Sequence, residues 1–192
     1  IDIAVIRFPK ISNFTDMDVF ERMDEVSIRY VSKPSELKTP DMVILPGTKN
    51  TIDDLLWMRQ NGLEAAILKL AARQVPVWGI CGGFQMMGEW LVDELAIESS
   101  HKGKIRGMGL FPVETEFEEE KVRTQTEGRF GELYGCFREL SGKRLTGYEI
   151  HMGRTKSREK EQPLCLLNAG ESANGREARG IPCGWNRKNL YG

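Results

Sequence analysis

Short apolar runs alternate with helically spaced stretches along the first half of the chain. Ile1 to Arg7, Val26 to Val31 and Asp41 to Leu45 are rich in β-branched and aliphatic residues and are bounded by turn formers, so each reads as a strand. Between the first two, Asn13-Phe14-Thr15 offers a cap for a short helix from Asp16 to about Met23, with acidic residues in its first turn where the helix dipole favours them. Beyond Pro46-Gly47, the apolar positions Ile52, Leu55 and Leu56, then Leu63, Ala66, Ile67 and Leu70, keep helical spacing and break at Asn61-Gly62. That pattern predicts two helices between Thr51 and Arg73. Val75 to Ile80 is nearly continuous apolar sequence, the pattern of a strand covered on both faces, and Gly83 to about Leu95 returns to helix.

The second half has a different rhythm. Leu110 to Phe117, Leu145 to Met152, Leu164 to Leu167, and Pro182 to Tyr191 with a turn at Asn186-Arg187-Lys188 read as strands without helices between them. The charge-rich stretches Glu116 to Lys121 and Arg154 to Glu161 read as solvated loops. The expected fold is α/β: a flavodoxin-like, doubly wound, mostly parallel sheet with right-handed crossovers, running into a mixed or antiparallel second half. At 192 residues this is one domain, spanning 1–192.

Composition narrows the class. With 27 Lys and Arg against 28 Asp and Glu, the net charge of -1 leaves no global field to draw in nucleic acid or an anionic membrane. The least polar stretch, Val75 to Gly88, is interrupted by Pro76, four glycines and Gln85 and is too short to span a bilayer. The cysteines at 81, 136, 165 and 183 fit neither a secretory disulfide framework nor a zinc CxxC, which places the chain in the cytoplasm with reduced thiols. Two histidines argue against a His-based metal site, and no metal is expected. The chain opens on Ile1, not Met, and enters a strand at once, as expected of a piece of a longer chain.

The strongest local signal is Trp78-Gly79-Ile80-Cys81-Gly82-Gly83-Phe84-Gln85, which leads from a strand through Gly-x-Cys-x-Gly into a helix. This is the pattern of a nucleophile elbow with sulfur in place of the serine oxygen. Side chains two positions either side of the nucleophile collide with the neighbouring strand or helix in so tight a turn, which gives Gly79 and Gly83 a steric reason. Cys81 then stands at the carboxyl edge of the sheet, and the N–H groups of the following helix favour thiolate. The plain alternative is a small buried thiol in a glycine-rich bend. That is the expectation for Cys136, Cys165 and Cys183, which have no such setting.

A second signal, Leu45-Pro46-Gly47-Thr48-Lys49-Asn50-Thr51, closes the third strand. An oxyanion hole beside an elbow takes one N–H from the residue after the nucleophile, here Gly82, and one from a neighbouring loop, for which Gly47 or Thr48 is placed. An ordinary strand-to-helix turn capped by Asn50 or Thr51 is the alternative. The glycine spacing of an ATP-binding loop is not met. A cysteine nucleophile needs a base, and His101, in the polar run Ser99 to Lys104, reads as merely solvated. His151 shares a strand face with Glu149, opposite Tyr148, Ile150 and Met152. That pair either lines a cleft or lies on a surface face.

The Gly79 to Gln85 block resembles the nucleophile motif of class I, triad-type glutamine amidotransferases. Ile6 to Asp18, Leu45 to Asp54, and Gly107 to Glu116 with Gly147 to Thr155 are similar, in order and over almost the whole chain, to the C-terminal amidotransferase domain of the cobyric acid synthase family. The resemblance implies that Cys81 attacks the side-chain amide of glutamine to form a γ-glutamyl thioester that water cleaves. It implies oxyanion donors at Gly82 and Gly47 and a contact from Gln85 to the bound glutamine. It implies no cofactor in this domain. ATP and magnesium belong to a preceding synthetase domain, absent here, where the ammonia amidates peripheral corrinoid carboxylates in cobalamin synthesis. The partners are therefore glutamine, that synthetase domain and, through it, the corrinoid.

One departure stands out. The family's catalytic histidine follows a Tyr-Gly-Thr-Tyr-Leu-His-Gly type of strand, whereas this chain stops at Leu190-Tyr191-Gly192, about four residues short of it. The extreme C-terminal segment is thus expected beyond Gly192, and the piece alone is expected to be poorly active. His151, with Glu149, then lines the cleft or the face toward the synthetase, and a third, acidic triad member stays open. Other readings are a related amidotransferase acting on cell-wall precursors or a cobyrinic acid diamide synthase. The Ser12 to Asp16 and Gly147 to His151 blocks argue against both. A cysteine hydrolase needs its histidine close after the elbow, where this chain has Gly82. A non-catalytic interaction module is the remaining alternative.

Overall fold

The computed structural model describes residues 1–12, 14–159, 162–168 and 180–192. Successive side chains of β1 (Asp2–Ile6) face opposite ways, and from Ile3 onward all are buried. The chain passes through a 3₁₀ turn at Phe14–Met17 and α1 (Asp18–Glu21) to β2 (Ser27–Val31), then through α2 (Pro34–Leu37) to β3 (Met42–Leu45). It continues through α3 (Thr51–Gln60) and α4 (Leu63–Ala72) to β4 (Val77–Gly79). Parallel pairing of β1 with β2 and β3, and of β3 with β4, sets the order β2-β1-β3-β4.

Ala4 and Ile6 join Leu37, Ile52, Leu55 and Ile67 in one apolar layer, while Ile3 and Val5 join Met17, Ile44 and Phe20 in the other. So α1 covers one face and α2 to α4 the other, the two-sided wrapping of a doubly wound sheet. The break between α3 and α4 falls where the spacing predicts it: Gly62 takes φ 84°, a conformation that suits glycine.

Past β4 come α5 (Gly82–Met86), β5 (Trp90–Asp93), β6 (Gly103–Arg106), β7 (Val113–Phe130) and a 3₁₀ turn at Gly135–Leu140. β8 (Arg144–Ser157), β9 (Gln162–Leu167), β10 (Ile181–Arg187) and β11 (Leu190–Tyr191) follow. From β4 the sheet runs on as β11-β10-β9-β7-β5-β6, with β8 paired to β7. β11 is parallel to β4, whereas β10 with β9, β9 with β7 and β7 with β8 are antiparallel, so the second half is mixed.

The helix expected from Gly83 to about Leu95 is only the five-residue α5, and β5 occupies its second half. The carbonyl of Met86 accepts from Met108 N–H at 2.8 Å, and that of Met87 from Leu110 N–H at 2.9 Å, so an incoming loop captures acceptors a longer helix needs. A Cβ on Gly88 would lie 2.9 Å from the Val113 carbonyl oxygen, which fixes glycine where the chain turns away. The helix expected from Asp16 to Met23 is likewise cut down, to the 3₁₀ turn and α1. Its proposed cap, Asn13, lies outside the described residues.

The charged stretches expected as loops belong instead to a long two-stranded arm. Glu116 to Lys121 is part of β7 and Arg154 to Ser157 part of β8, with a shift of register between Glu116 and Lys121. Arg154 pairs with Glu118 at 3.0 Å and Lys156 approaches Glu116 at 3.9 Å, so opposite charges on facing strands support a solvated ladder. Lys160 and Glu161 lie outside the described residues.

Candidate active site

The site begins where β4 ends. Ile80 N–H bonds to the Leu45 carbonyl at 2.9 Å, keeping the chain against β3, and Cys81 then turns sharply with φ 51° and ψ -113° before α5 starts. A non-glycine residue in this region costs on the order of 1–3 kcal/mol and persists only where its surroundings impose it. Here they do. A Cβ on Gly79 would lie 2.6 Å from Phe84 Cα, and one on Gly83 would be driven into the Leu45 carbonyl oxygen. The bend therefore closes against the next strand and the next helix, as its glycine spacing implies, and leaves the Cys81 side chain exposed with a reduced thiol.

Two backbone segments flank the sulfur. On one side is the loop after β3: a Cβ on Gly47 would lie 3.8 Å from Cys81 Cβ, and one on Gly82 would lie 3.4 Å from Thr48 N. Gly47 and Thr48 thus run beside Cys81 and Gly82. Loop contacts hold that segment: Ser12 N–H donates to the Gly47 carbonyl at 3.0 Å, and Ile11 bridges Thr48. The Thr48 hydroxyl reaches the Asp54 carboxylate in a short hydrogen bond and the Lys10 carbonyl at 3.1 Å. Asp54 is 1% exposed, and burial pushes its carboxyl above the usual range. Asn50 caps α3, accepting from Asp53 N–H at 2.8 Å. The loop is both cap and wall.

On the other side is β8. The Cys81 thiol approaches the Ile150 carbonyl at 3.5 Å, and the buried Gln85 side chain donates to the Met152 carbonyl at 3.0 Å. The Thr51 hydroxyl donates to Gln85 Oε1 at 3.3 Å, and Thr51 N–H donates to Glu98 at 2.5 Å. Glu98 is delivered by a loop folded on buried Asp93, whose carboxylate accepts the N–H groups of Ile97, Glu98 and Ser99. Burial raises the Glu98 carboxyl as well.

Glu149 and His151 do pair, at 2.9 Å from Oε1 to Nε2. Nδ1 of the same ring lies 3.0 Å from the Gly153 carbonyl, so both ring nitrogens are engaged within β8. His101 is exposed and lies 3.9 Å from Asp53. Thr51, Asp54 and Glu98 were not among the sequence candidates. Asp93, five residues before Glu98 in a turn-rich stretch, was the available signal for the last of these, whereas the Ile150 and Met152 carbonyls carry no sequence signal. Among the described residues no group of three His, Cys, Asp or Glu side chains could hold a metal ion, and no helix is long and apolar enough to cross a membrane.

Comparison with known proteins places this arrangement. The chain is 52% identical over 174 residues to cobyric acid synthase of Lachnoclostridium phytofermentans, a match covering 89% of this chain and 34% of that protein. It is 49% identical over 192 residues to that of Ruminiclostridium cellulolyticum, covering 100% and 36%. The chain thus spans about a third of the length of these curated relatives. In fold it is similar to PurLQS from Thermotoga maritima, with TM-score 0.66 and 19% identity over 100% of this chain and 84% of that one. A glutamine amidotransferase from Thermotoga maritima gives TM-score 0.60 and 15% identity over 100% and 73%. Residues 2–192 match the CobB/CobQ-like glutamine amidotransferase domain, and the chain belongs to that family.

Proposed function

We propose that this domain is the glutaminase of a cobyric acid synthase, with Cys81 as its nucleophile. The observation that carries the reading is an exposed thiol on an enforced elbow, flanked by the backbone of Gly82 and of Gly47-Thr48. Cys81 sulfur attacks the δ-carbonyl carbon of glutamine, and the carbonyl oxygen becomes an oxyanion that the Gly82 and Gly47 N–H groups receive. The C–N bond then breaks, ammonia leaves with a proton from a general acid, and a γ-glutamyl thioester remains. Water cleaves it to glutamate and restores the thiol.

Gln85 and Glu98 lie along one connected network through Thr51. They are assigned to the glutamine end of the site, a carboxylate suiting the α-ammonium group. The α5 helix has only five residues, so its first N–H groups, not a long macrodipole, favour thiolate. With both ring nitrogens engaged inside β8, His151 is assigned to the cleft wall and not to proton transfer. The acid and base is assigned to a residue following Gly192: Leu190 and Tyr191 lie opposite Val77 and Trp78 of β4, so β11 heads toward the elbow. Ammonia passes to an ATP- and magnesium-dependent synthetase domain of the same polypeptide, which amidates corrinoid carboxylates in the cytoplasm. The test is glutamate release by the full-length enzyme and by its Cys81→Ala variant. Activity that survives the substitution removes Cys81 from the mechanism.

A further inference from the structure

We propose that the crevice at the carboxyl ends of β1 and β2 is a second binding site, for a small carboxylate carried on an apolar body. The inference is independent of the glutaminase reading. β1 sends its crossover over one face of the sheet and β3 sends α3 and α4 over the other. That reversal falls between β1 and β3, and the crevice outside the carboxyl ends of the strands there is where open α/β sheets take ligands. A cavity of about 400 Å³ opens beside it, lined by Arg7, Phe8, Pro9, Ile11, Ser32 and Trp57. None of the six belongs to the elbow, and the volume falls in the range of small-molecule sites.

The lining selects the ligand. Among the described residues the Arg7 guanidinium has no ion-pair partner, while Asp53 is held by Lys10 at 2.7 Å and by Asn50 at 2.9 Å. One guanidinium fork matches one carboxylate in charge and in geometry. A dianionic phosphate is a poorer fit, because a single guanidinium leaves its second charge unmet unless backbone donors help. Here Arg7, Phe8 and Ile11 spend their N–H groups on Val31, Ile6 and Phe8 carbonyls at 2.8, 3.2 and 3.3 Å. The Trp57 ring, Phe8, Pro9 and Ile11 supply apolar walls for the body of the ligand, and Ser32 adds a hydroxyl.

The probe is 3-phenylpropionate, titrated calorimetrically into the 192-residue chain against its neutral isostere, 3-phenylpropionamide. The carboxylate is expected to bind at least about 10-fold more tightly than the amide. Arg7→Gln should abolish that difference, Arg7→Lys should keep only part of it, and Trp57→Leu should weaken both compounds. Equal binding of acid and amide, an undiminished preference in Arg7→Gln, or no saturable binding overturns the proposal. Should Arg7→Gln fail to fold, the acid-amide comparison and Arg7→Lys decide. Repeating the titration on the full-length protein identifies the source of the carboxylate. Binding to both forms indicates a free ligand, and binding to the 192-residue chain alone indicates an acidic side chain from the rest of the polypeptide.

Discussion

The Gln85 side chain ties α5 to β8: its amide nitrogen donates to the Met152 carbonyl at 3.0 Å while its oxygen takes the Thr51 hydroxyl at 3.3 Å. This one side chain thereby links the elbow helix, the first turn of α3 and β8. Gln85→Leu roughly keeps the volume and removes both bonds, leaving the part-buried Met152 carbonyl and the Thr51 hydroxyl without this partner at a cost of about 1–3 kcal/mol. The urea midpoint should fall accordingly. Reaction of Cys81 with a glutamine-shaped electrophile should slow more than its reaction with iodoacetamide, because β8 is the wall that shapes the cleft. Equal slowing of the two reagents would argue that Gln85 has only a structural role.

Cys81 and Cys136 are both exposed, which provides an internal control. Iodoacetamide should modify both, since it selects chiefly for access and thiolate. A diazoketone analogue of glutamine should modify Cys81 alone, and excess glutamine should protect it. Peptide mass mapping reads the outcome. Comparable analogue labelling at Cys136 would show that the elbow has no glutamine-binding role.

What the sequence made legible was whatever depends on local sterics. Gly79 and Gly83 announce the elbow because each faces backbone at a distance no side chain tolerates, and the Asn61-Gly62 break announces the end of α3. What stayed hidden depends on partners far along the chain. Trp90 to Asp93 carries the spacing of a helix but becomes a strand because β7 and β6 bracket it and the 108–111 loop takes the carbonyls of Met86 and Met87. Glu116 and Lys156 look solvated, and they are, but as rungs of a ladder that is visible only once β7 and β8 are paired. Glu98 was hidden for the same reason, since its meaning lies in Thr51, 47 residues away.

Gly47→Ala tests the oxyanion assignment without deleting the N–H. The added methyl would lie 2.8 Å from Ser12 Oγ, so either the Ser12 hydroxyl turns away or the loop leaves its present seat beside Cys81. Misplacing one donor is expected to lower kcat about 10²-fold with little change in KM. The double variant Gly47→Ala with Ser12→Gly removes the crowding and should recover much of the rate. A single variant with near-normal kcat would mean that the Ser12 hydroxyl makes room for the methyl, and Gly47→Pro, which removes the donor, then decides: near-normal turnover there takes Gly47 out of the mechanism.

Asp54 predicts a pH signature. Burial raises its folded value above 3.8, so folding takes up a proton between 3.8 and the raised value. The stability it contributes is full below the unfolded value and is lost as pH rises through the folded one. Asp54→Asn retains an acceptor for the Thr48 hydroxyl and Lys10 N–H but cannot ionise. Its urea midpoint should therefore gain on that of the parent chain as pH rises from 4 to 7, with Lys10 and Asp53 unchanged in both. Midpoints that stay parallel, or that diverge in the opposite sense, would mean that the hydrogen bonds outweigh burial at this carboxylate.

The last prediction concerns the proton that leaving ammonia needs. β11 runs parallel to β4, and a Cβ on Gly192 would lie 3.1 Å from the Gly79 carbonyl oxygen, two residues before Cys81. A chain continuing past Gly192 in the same direction reaches the level of Cys81 within about two residues, given the common rise of paired strands. The 192-residue chain should accordingly hydrolyse glutamine at least about 10²-fold more slowly than the full-length enzyme, the usual scale of general acid-base help. Labelling of Cys81 by a chloroketone analogue of glutamine should survive in the short chain, because chloride leaves without a proton. In the full-length enzyme His151→Ala should reduce turnover only partly and leave its pH profile in place. If the short chain turns over at the full rate and loses that rate on His151→Ala, then the ring held between Glu149 and Gly153 is the base, and the residues after Gly192 have no part in proton transfer.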